Sequence, residues 1–555
     1  MKEKEKWISL LLILVLLAGG WAVFSLEENR YQFPGTPRPA QEESSDLWEQ
    51  RIRIGPDFKL EEKAGVTGRT NYRNKTILTD ESFSSNLPLV IIDTKGREPG
   101  RGVVWDNEKG YHVPTGEDPY AYGEISVIDN GTDLSRPGDP EKLHSFCKIK
   151  IRGNSSGNYD KKQYLLKLTD ENGKAKKGNV LNMGADSEWI LNVSFIDPSL
   201  LRNYLAYTAA GEIMPYTPDV QFCEVLWKEE NGYRYEGVYL MMESVKAGKY
   251  RVDLPQYSEN SSVTPALLRR DRYNVNRIML DNYATERRLT GEFLGIEYPD
   301  REIITEKGVQ NITEQVSRFE RALYADTWED FIQYRSFVDL DSFVDYFILN
   351  EFFLNYDAGY HSTYFYMDYS GKLSMGPVWD FDQAMDNDQT AAAVLETTAF
   401  HSAPWFDRIL QDPVFTEAVI RRYGELRKSI LSDQAIASFL RETVEYLGPA
   451  IERDWARWGY YYTYGSYPKP GPEEEREWNA ELYRQETEQI QNVLARHGGW
   501  LDGNMDSLYQ FKMISLERAQ ALAGQNTEDF RPALAVVFVG IFLISVRLVL
   551  RYESE

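Results

Sequence analysis

The run Asn355-Tyr356-Asp357-Ala358-Gly359-Tyr360-His361-Ser362-Thr363-Tyr364-Phe365-Tyr366, with Gly376-Pro377-Val378-Trp379-Asp380-Phe381-Asp382 after it, decides how this chain is read. Residues 362–368 and 373–378 read as two strands joined by the turn Tyr369-Ser370-Gly371-Lys372, a β-hairpin pattern. Asp357 follows an amphipathic helix over 340–354 and sits in a loop before the hairpin, whereas Asp380 and Asp382 follow its second strand. A hairpin returns the chain near its starting point, so Asp357 and Asp380 can converge although 23 positions (380 − 357) separate them. Hard divalent cations take oxygen ligands, commonly one or two carboxylates plus phosphates. One carboxylate to accept a hydroxyl proton and another to hold a metal are the parts a phosphoryl-transfer site needs. The alternative is that these aspartates cap turns, which aspartate does often.

Upstream, Ile149-Lys150-Ile151-Arg152-Gly153-Asn154-Ser155-Ser156-Gly157 and Lys161-Lys162-Gln163-Tyr164-Leu165-Leu166-Lys167-Leu168 read as strand, Gly/Ser loop and lysine-bearing strand. Small residues let backbone amides approach an anion, and a lysine supplies a point charge. The run matches neither the P-loop spacing nor GxGxxG, and taken alone an exposed basic hairpin explains it better. Alternation puts Tyr164, Leu166 and Leu168 on one apolar face and turns Lys167 away from it.

Around these runs the character of the chain changes. Residues 86–255 alternate short β-rich runs with turns, interrupted by a helix that starts near Asp197-Pro198-Ser199 and runs to about Met214. Residues 256–525 turn helical, with 3.6-type spacing over 413–431, 434–457, 473–497 and 500–522. This is an α+β arrangement of a β-rich first lobe and a helical second lobe carrying the hairpin. Residues 27–85 are Pro-, Glu- and Ser-rich at first and read as a stalk. Residues 1–26 end in an uncharged apolar run of twenty, and 532–550 carry a second run broken only by Arg547. Each is long enough to cross a bilayer. The expectation is a plasma-membrane protein anchored by two transmembrane helices, its middle facing outside the cytoplasm.

Of the 555 residues, 62 are Lys or Arg and 86 Asp or Glu, for a net charge of −24. That surface repels phosphate backbones and excludes nucleic acid as an expected partner, while a basic protein segment is steered toward it. The two cysteines, Cys147 and Cys223, lie in strand-like runs outside any CxxC pair, as two buried thiols or a cross-strand disulfide. Five histidines without HExxH or HxH spacing leave zinc hydrolysis without ligands, and no GxSxG elbow occurs.

In combination these blocks resemble the CotH family of atypical kinases, first associated with spore coats. The resemblance runs from Leu87-Pro88-Leu89-Val90-Ile91 through Arg152-Gly153-Asn154-Ser155-Ser156 and Phe195-Ile196-Asp197-Pro198-Ser199-Leu200-Leu201-Arg202-Asn203. It continues through Gly237-Val238-Tyr239-Leu240, Arg251-Val252-Asp253-Leu254 and 376–382 to Trp405-Phe406-Asp407-Arg408. It implies a two-lobed kinase-like fold, ATP with Mg²⁺ or Mn²⁺, and Ser/Thr of a protein as acceptor. On that reading Asp357 matches the catalytic-loop aspartate and Asp380 the metal-binding aspartate, with Asp382 beside it. Lys167, or else Lys162, is the nucleotide-pairing lysine; Arg152 and Glu243 are further nucleotide contacts, and Glu212 is a candidate partner for the lysine. A basic, Ser-rich acceptor suits the acidic surface. One position departs from the kinase pattern: Ser362 stands where kinases place a metal-binding asparagine, five residues after the catalytic aspartate. That departure keeps a second reading open, a catalytically impaired pseudokinase acting as a surface or coat scaffold.

Overall fold

Seven strands with an apolar residue at every second position build the first half of the protein. They are β1 (Leu89–Asp93), β2 (Ala121–Ile128), β3 (Leu143–Ile151), β4 (Tyr164–Thr169), β5 (Glu188–Asn192), β6 (Val220–Glu229) and β7 (Gly232–Glu243). The computed structural model describes residues 77–515 and 518–519, apart from 155, 194, 389–391 and 463–479. Of the two units into which the chain divides, Ser44–Phe511 carries every feature discussed below.

The strands run in the order β7-β5-β4-β3-β2-β1-β6, and β6 pairs again with β7, which closes the sheet into a barrel. All neighbours are antiparallel except β1 and β6, which lie parallel with Glu224 opposite Leu89. The alternating apolar residues point inward; Val90, Ile92, Ile149, Leu166, Trp189, Val225 and Met241 share one buried core. Closure bends β7 at a register shift, where Val225 faces Gly237 and Leu226 faces Tyr235, as a bulge does. Gly237 takes φ +109°, and a Cβ there would sit 2.4 Å from Asp454 Oδ1. The glycine is what lets a buried carboxylate reach the bulge.

That carboxylate comes from a helix of the second half of the chain. The second half holds α2 (Glu306–Leu323), α3 (Leu340–Phe352), α4 (Pro413–Leu426), α5 (Asp433–Leu447), α6 (Pro449–Tyr462) and α7 (Ala480–Asn504), with α1 (Arg202–Gly211) inserted between β5 and β6. From α6, Asp454 accepts hydrogen bonds from Lys161 Nζ at 2.6 Å, the Val238 amide at 2.7 Å and Tyr462 Oη at 2.9 Å. Its neighbour Arg453 grips Glu224 of β6 at 2.8 and 2.5 Å. Both pairs are buried. A buried ion pair survives only when hydrogen bonds satisfy its remaining valences, and these do.

A second, five-stranded sheet lies in the half read as helical. Its order is β9 (Ile278–Met279), β10 (Phe293–Tyr298), β8 (Ala266–Asp271), β11 (Thr363–Met367) and β12 (Leu373–Met375). The hairpin expected around 362–378 is β11–β12.

These observations correct the expected fold class. The β-rich part is a closed barrel rather than an open kinase N-lobe, because β1 and β6 join edges that alternation alone leaves unpaired. The second part is a sheet with helices, and α6 returns to the barrel wall. Two lobes joined by a linker do not describe this arrangement. The transmembrane flanks and the plasma-membrane location are corrected as well: among the described residues no helix is long and apolar enough to cross a membrane. The runs within 1–26 and 532–550 lie outside the described residues. Cys147 and Cys223 are free, buried thiols of the barrel core.

Candidate functional site

The carboxylates gather where the end of the β11–β12 hairpin passes α1. Two residues one turn apart on α1 hold the chain there: Tyr207 Oη accepts the Asp380 amide at 3.0 Å and Asn203 Oδ1 accepts the Phe381 amide at 2.8 Å. Asp380 has φ +65°, a left-handed backbone that is costly for a residue with a side chain and is held here by those bonds. On the other side of the hairpin, Arg270 donates to the Gly359 carbonyl at 3.0 Å, and Thr363 Oγ1 accepts the Gly359 amide at 2.7 Å. Arg270 is itself packed over the Trp405 ring at 4.1 Å. The loop that carries Asp357 is therefore fixed from the second sheet, and the segment that carries Asp380 from α1.

Burial, then the charge of Asp357, push the Asp380 carboxyl up to about 6, against the pull of Arg152 and Arg269. Burial and then Asp380 hold the Asp382 carboxyl well above the usual range. Burial also raises Asp357, while the exposed Arg272 pulls it down. So the charge of Asp357 reaches Asp380 and Asp382, and that of Asp380 reaches Asp382, each making the group it reaches harder to ionise. A divalent cation relieves this kind of repulsion, so the donor chemistry fits one. Among the described residues no three His, Cys, Asp or Glu side chains form a ready-made cage. Two carboxylates are as many as Mg²⁺ commonly takes from a protein when phosphates supply the rest.

The barrel brings Arg152 to this cluster. It follows β3, donates to Gln163 Oε1 at 3.0 Å and lies 5.4 Å over the Trp379 ring, next to Asp380 in sequence. Lys167 points out of the barrel from β4 and pairs at 2.7 Å with Glu188, directly opposite on β5. Burial opposes the charge of Lys167, but Glu188 outweighs it and the ammonium is held above its ordinary range. The lysine's carboxylate partner is thus Glu188, not Glu212, which is exposed at the end of α1. Lys162 donates to the Gly157 carbonyl at 3.3 Å, and Arg101 to the Asn154 carbonyl at 2.7 Å. The Gly/Ser loop therefore turns carbonyls toward cations on that side. Glu243 lies apart, buried at the end of β7, where it pairs with Arg251 and accepts the Asp219 amide at 3.0 Å. Ser362 has φ +50° and leads into β11.

Sequence reasoning missed Arg269, Asp271 and Arg272. Arg269 and Asp271 lie on the strand Ala266–Asp271 and Arg272 follows it; the strand ends in two arginines and an aspartate and shows no clean polar alternation. It also missed Glu188, whose signal was available: Glu188-Trp189-Ile190-Leu191-Asn192 is a charged residue opening an apolar run.

No curated protein sequence matches this chain. The family model described as CotH kinase protein matches residues 149–501, more than half of the chain and including Arg152, Asp357, Asp380 and Asp382. Its match begins inside β3, although β1 and β2 are needed to close the barrel. On this match the chain belongs to the CotH kinase family.

Proposed function

We propose that this protein is a divalent-metal-dependent kinase that passes the γ-phosphoryl group of ATP to a serine or threonine hydroxyl of a protein. The observation that carries this reading is that α1 holds the Asp380–Asp382 segment beside Trp379 and Arg152, where the charge of Asp357 also bears on both aspartates. Asp380 and Asp382 would hold Mg²⁺ or Mn²⁺, which when bound supplies charge neutralisation at the phosphates. Arg152 offers a fixed guanidinium to phosphate oxygens, and Lys167 or Lys162 a second cation further along the barrel wall. Asp357 accepts the acceptor's hydroxyl proton as its oxygen bonds to the γ-phosphorus. The bond from that phosphorus to the β–γ bridging oxygen breaks, and ADP leaves. The net charge of −24 favours a basic acceptor segment.

The test is transfer from labelled ATP by the purified protein with Mg²⁺ or Mn²⁺, compared with Asp357→Ala and Asp380→Ala proteins that keep the parent's circular dichroism. Transfer by the parent and its loss in both variants supports the kinase. A second reading, a nucleotide-binding scaffold without transfer, rests on Ser362 at the position of the metal-binding asparagine. It predicts nucleotide binding without transfer, and transfer gained in Ser362→Asn.

A further inference from the structure

The charges of two arginines from different sheets bear on Asp380, and the reading above uses only one of them. Arg269 of β8 lies 5.3 Å over the Tyr364 ring, its register partner on β11. The Tyr364 ring meets the Trp379 ring edge-on at 5.9 Å, and Arg152 lies on Trp379 at 5.4 Å. The four side chains make a continuous stack from the second sheet to the barrel, with Asp380 beginning one residue after its centre. Arg269 is largely buried and ion-paired with Asp271, but the contact lacks hydrogen-bond geometry at Asp271 Oδ2. The Arg269 Nε is buried with no acceptor. A largely buried guanidinium with an unanswered donor, at one end of a stack whose Trp379 adjoins Asp380 in sequence, is an anion site waiting for oxygen ligands.

We propose that Arg269 is the second phosphate-binding arginine of this site, closing on the terminal phosphate of the nucleotide from the sheet opposite Arg152. The inference rests on the nucleotide reading of the carboxylate cluster and adds a group from a part of the chain that no motif marked. With a metal on the carboxylates, the free Arg269 Nε would donate to phosphate oxygens while the ion pair with Asp271 holds the guanidinium. Tyr364 and Trp379 keep both guanidinium planes in place meanwhile.

The test is calorimetric affinity for ATP, ADP and AMP, each with Mg²⁺, on the whole protein and on Arg269→Lys and Arg269→Gln. Thermal melting reports whether each variant folds. Losing a charge-assisted hydrogen bond predicts ATP binding about 10- to 100-fold weaker in both variants, with AMP affinity nearly unchanged. Arg269→Lys keeps the charge but not the planar fork, so it separates phosphate recognition from a simple ion pair with Asp271. ATP binding as tight as the parent's in Arg269→Lys, or an equal loss for ATP and AMP, overturns the proposal. If the parent binds no nucleotide, the kinase reading itself fails, and this inference with it.

Discussion

Two regions of this protein bury carboxylates, and they do so by opposite rules. In the barrel wall each carboxylate has a cation. Asp454 holds Lys161, an amide and a tyrosine hydroxyl, and Glu224 holds Arg453 and Tyr235 Oη at 2.6 Å. At the hairpin end, burial and neighbouring carboxylates raise Asp380 and Asp382 instead: the charge of Asp357 bears on both, and that of Asp380 on Asp382. The first arrangement ties α6 to the barrel. The second forgoes stability to keep a concentrated negative site beside two arginines, and function is the common reason a fold tolerates that.

Substitutions in the two regions should therefore differ in kind. Asp357→Asn is expected to cut phosphoryl transfer by about 10²- to 10⁴-fold with the melting temperature unchanged or raised, read by a transfer assay beside a melting curve. Asp454→Ala leaves the Lys161 ammonium buried without its anion and should cost about 3–5 kcal/mol in denaturant unfolding. Asp380→Asn should go the other way. A carboxyl raised from 3.8 to about 6 takes up its proton more readily when folded, so stability falls as pH rises between those values. Removing the charge is expected to stabilise the protein above pH 6 by about 3 kcal/mol and to flatten the profile between pH 4 and 6. The smallest effect sharpens the comparison: Tyr207→Phe removes the acceptor of the Asp380 amide, for a loss of about 1 kcal/mol with a drop in transfer.

What could be read in advance follows the range of the interactions. Period-two alternation marks Tyr164–Thr169 to the residue, because inward and outward faces of one strand are a local property. The β11–β12 hairpin is legible for the same reason, since its turn lies within a few residues. Barrel closure is not: it depends on β1 meeting β6 across more than a hundred residues. Lys161 reads as part of an exposed basic hairpin, yet it is fully buried because Asp454, 293 positions away, neutralises it. The span 434–457 reads as one helix, but Gly448, at φ +45°, divides it into α5 and α6 and so aims Arg453 and Asp454 at the barrel. Near the carboxylates, the hairpin pattern pointed to Asp357 and Asp380 meeting. The arginines of β8 stayed hidden because Arg270 breaks the alternation by packing on Trp405 and Phe365.

The most direct measurement is a calorimetric titration of ATP into the whole protein, with and without Mg²⁺ or Mn²⁺, beside the same titration of Asp380→Asn. The account predicts binding that requires the metal in the parent and is lost in the variant while its fold is kept. Equal binding by parent and variant, or no nucleotide binding by the parent with either metal, would contradict it.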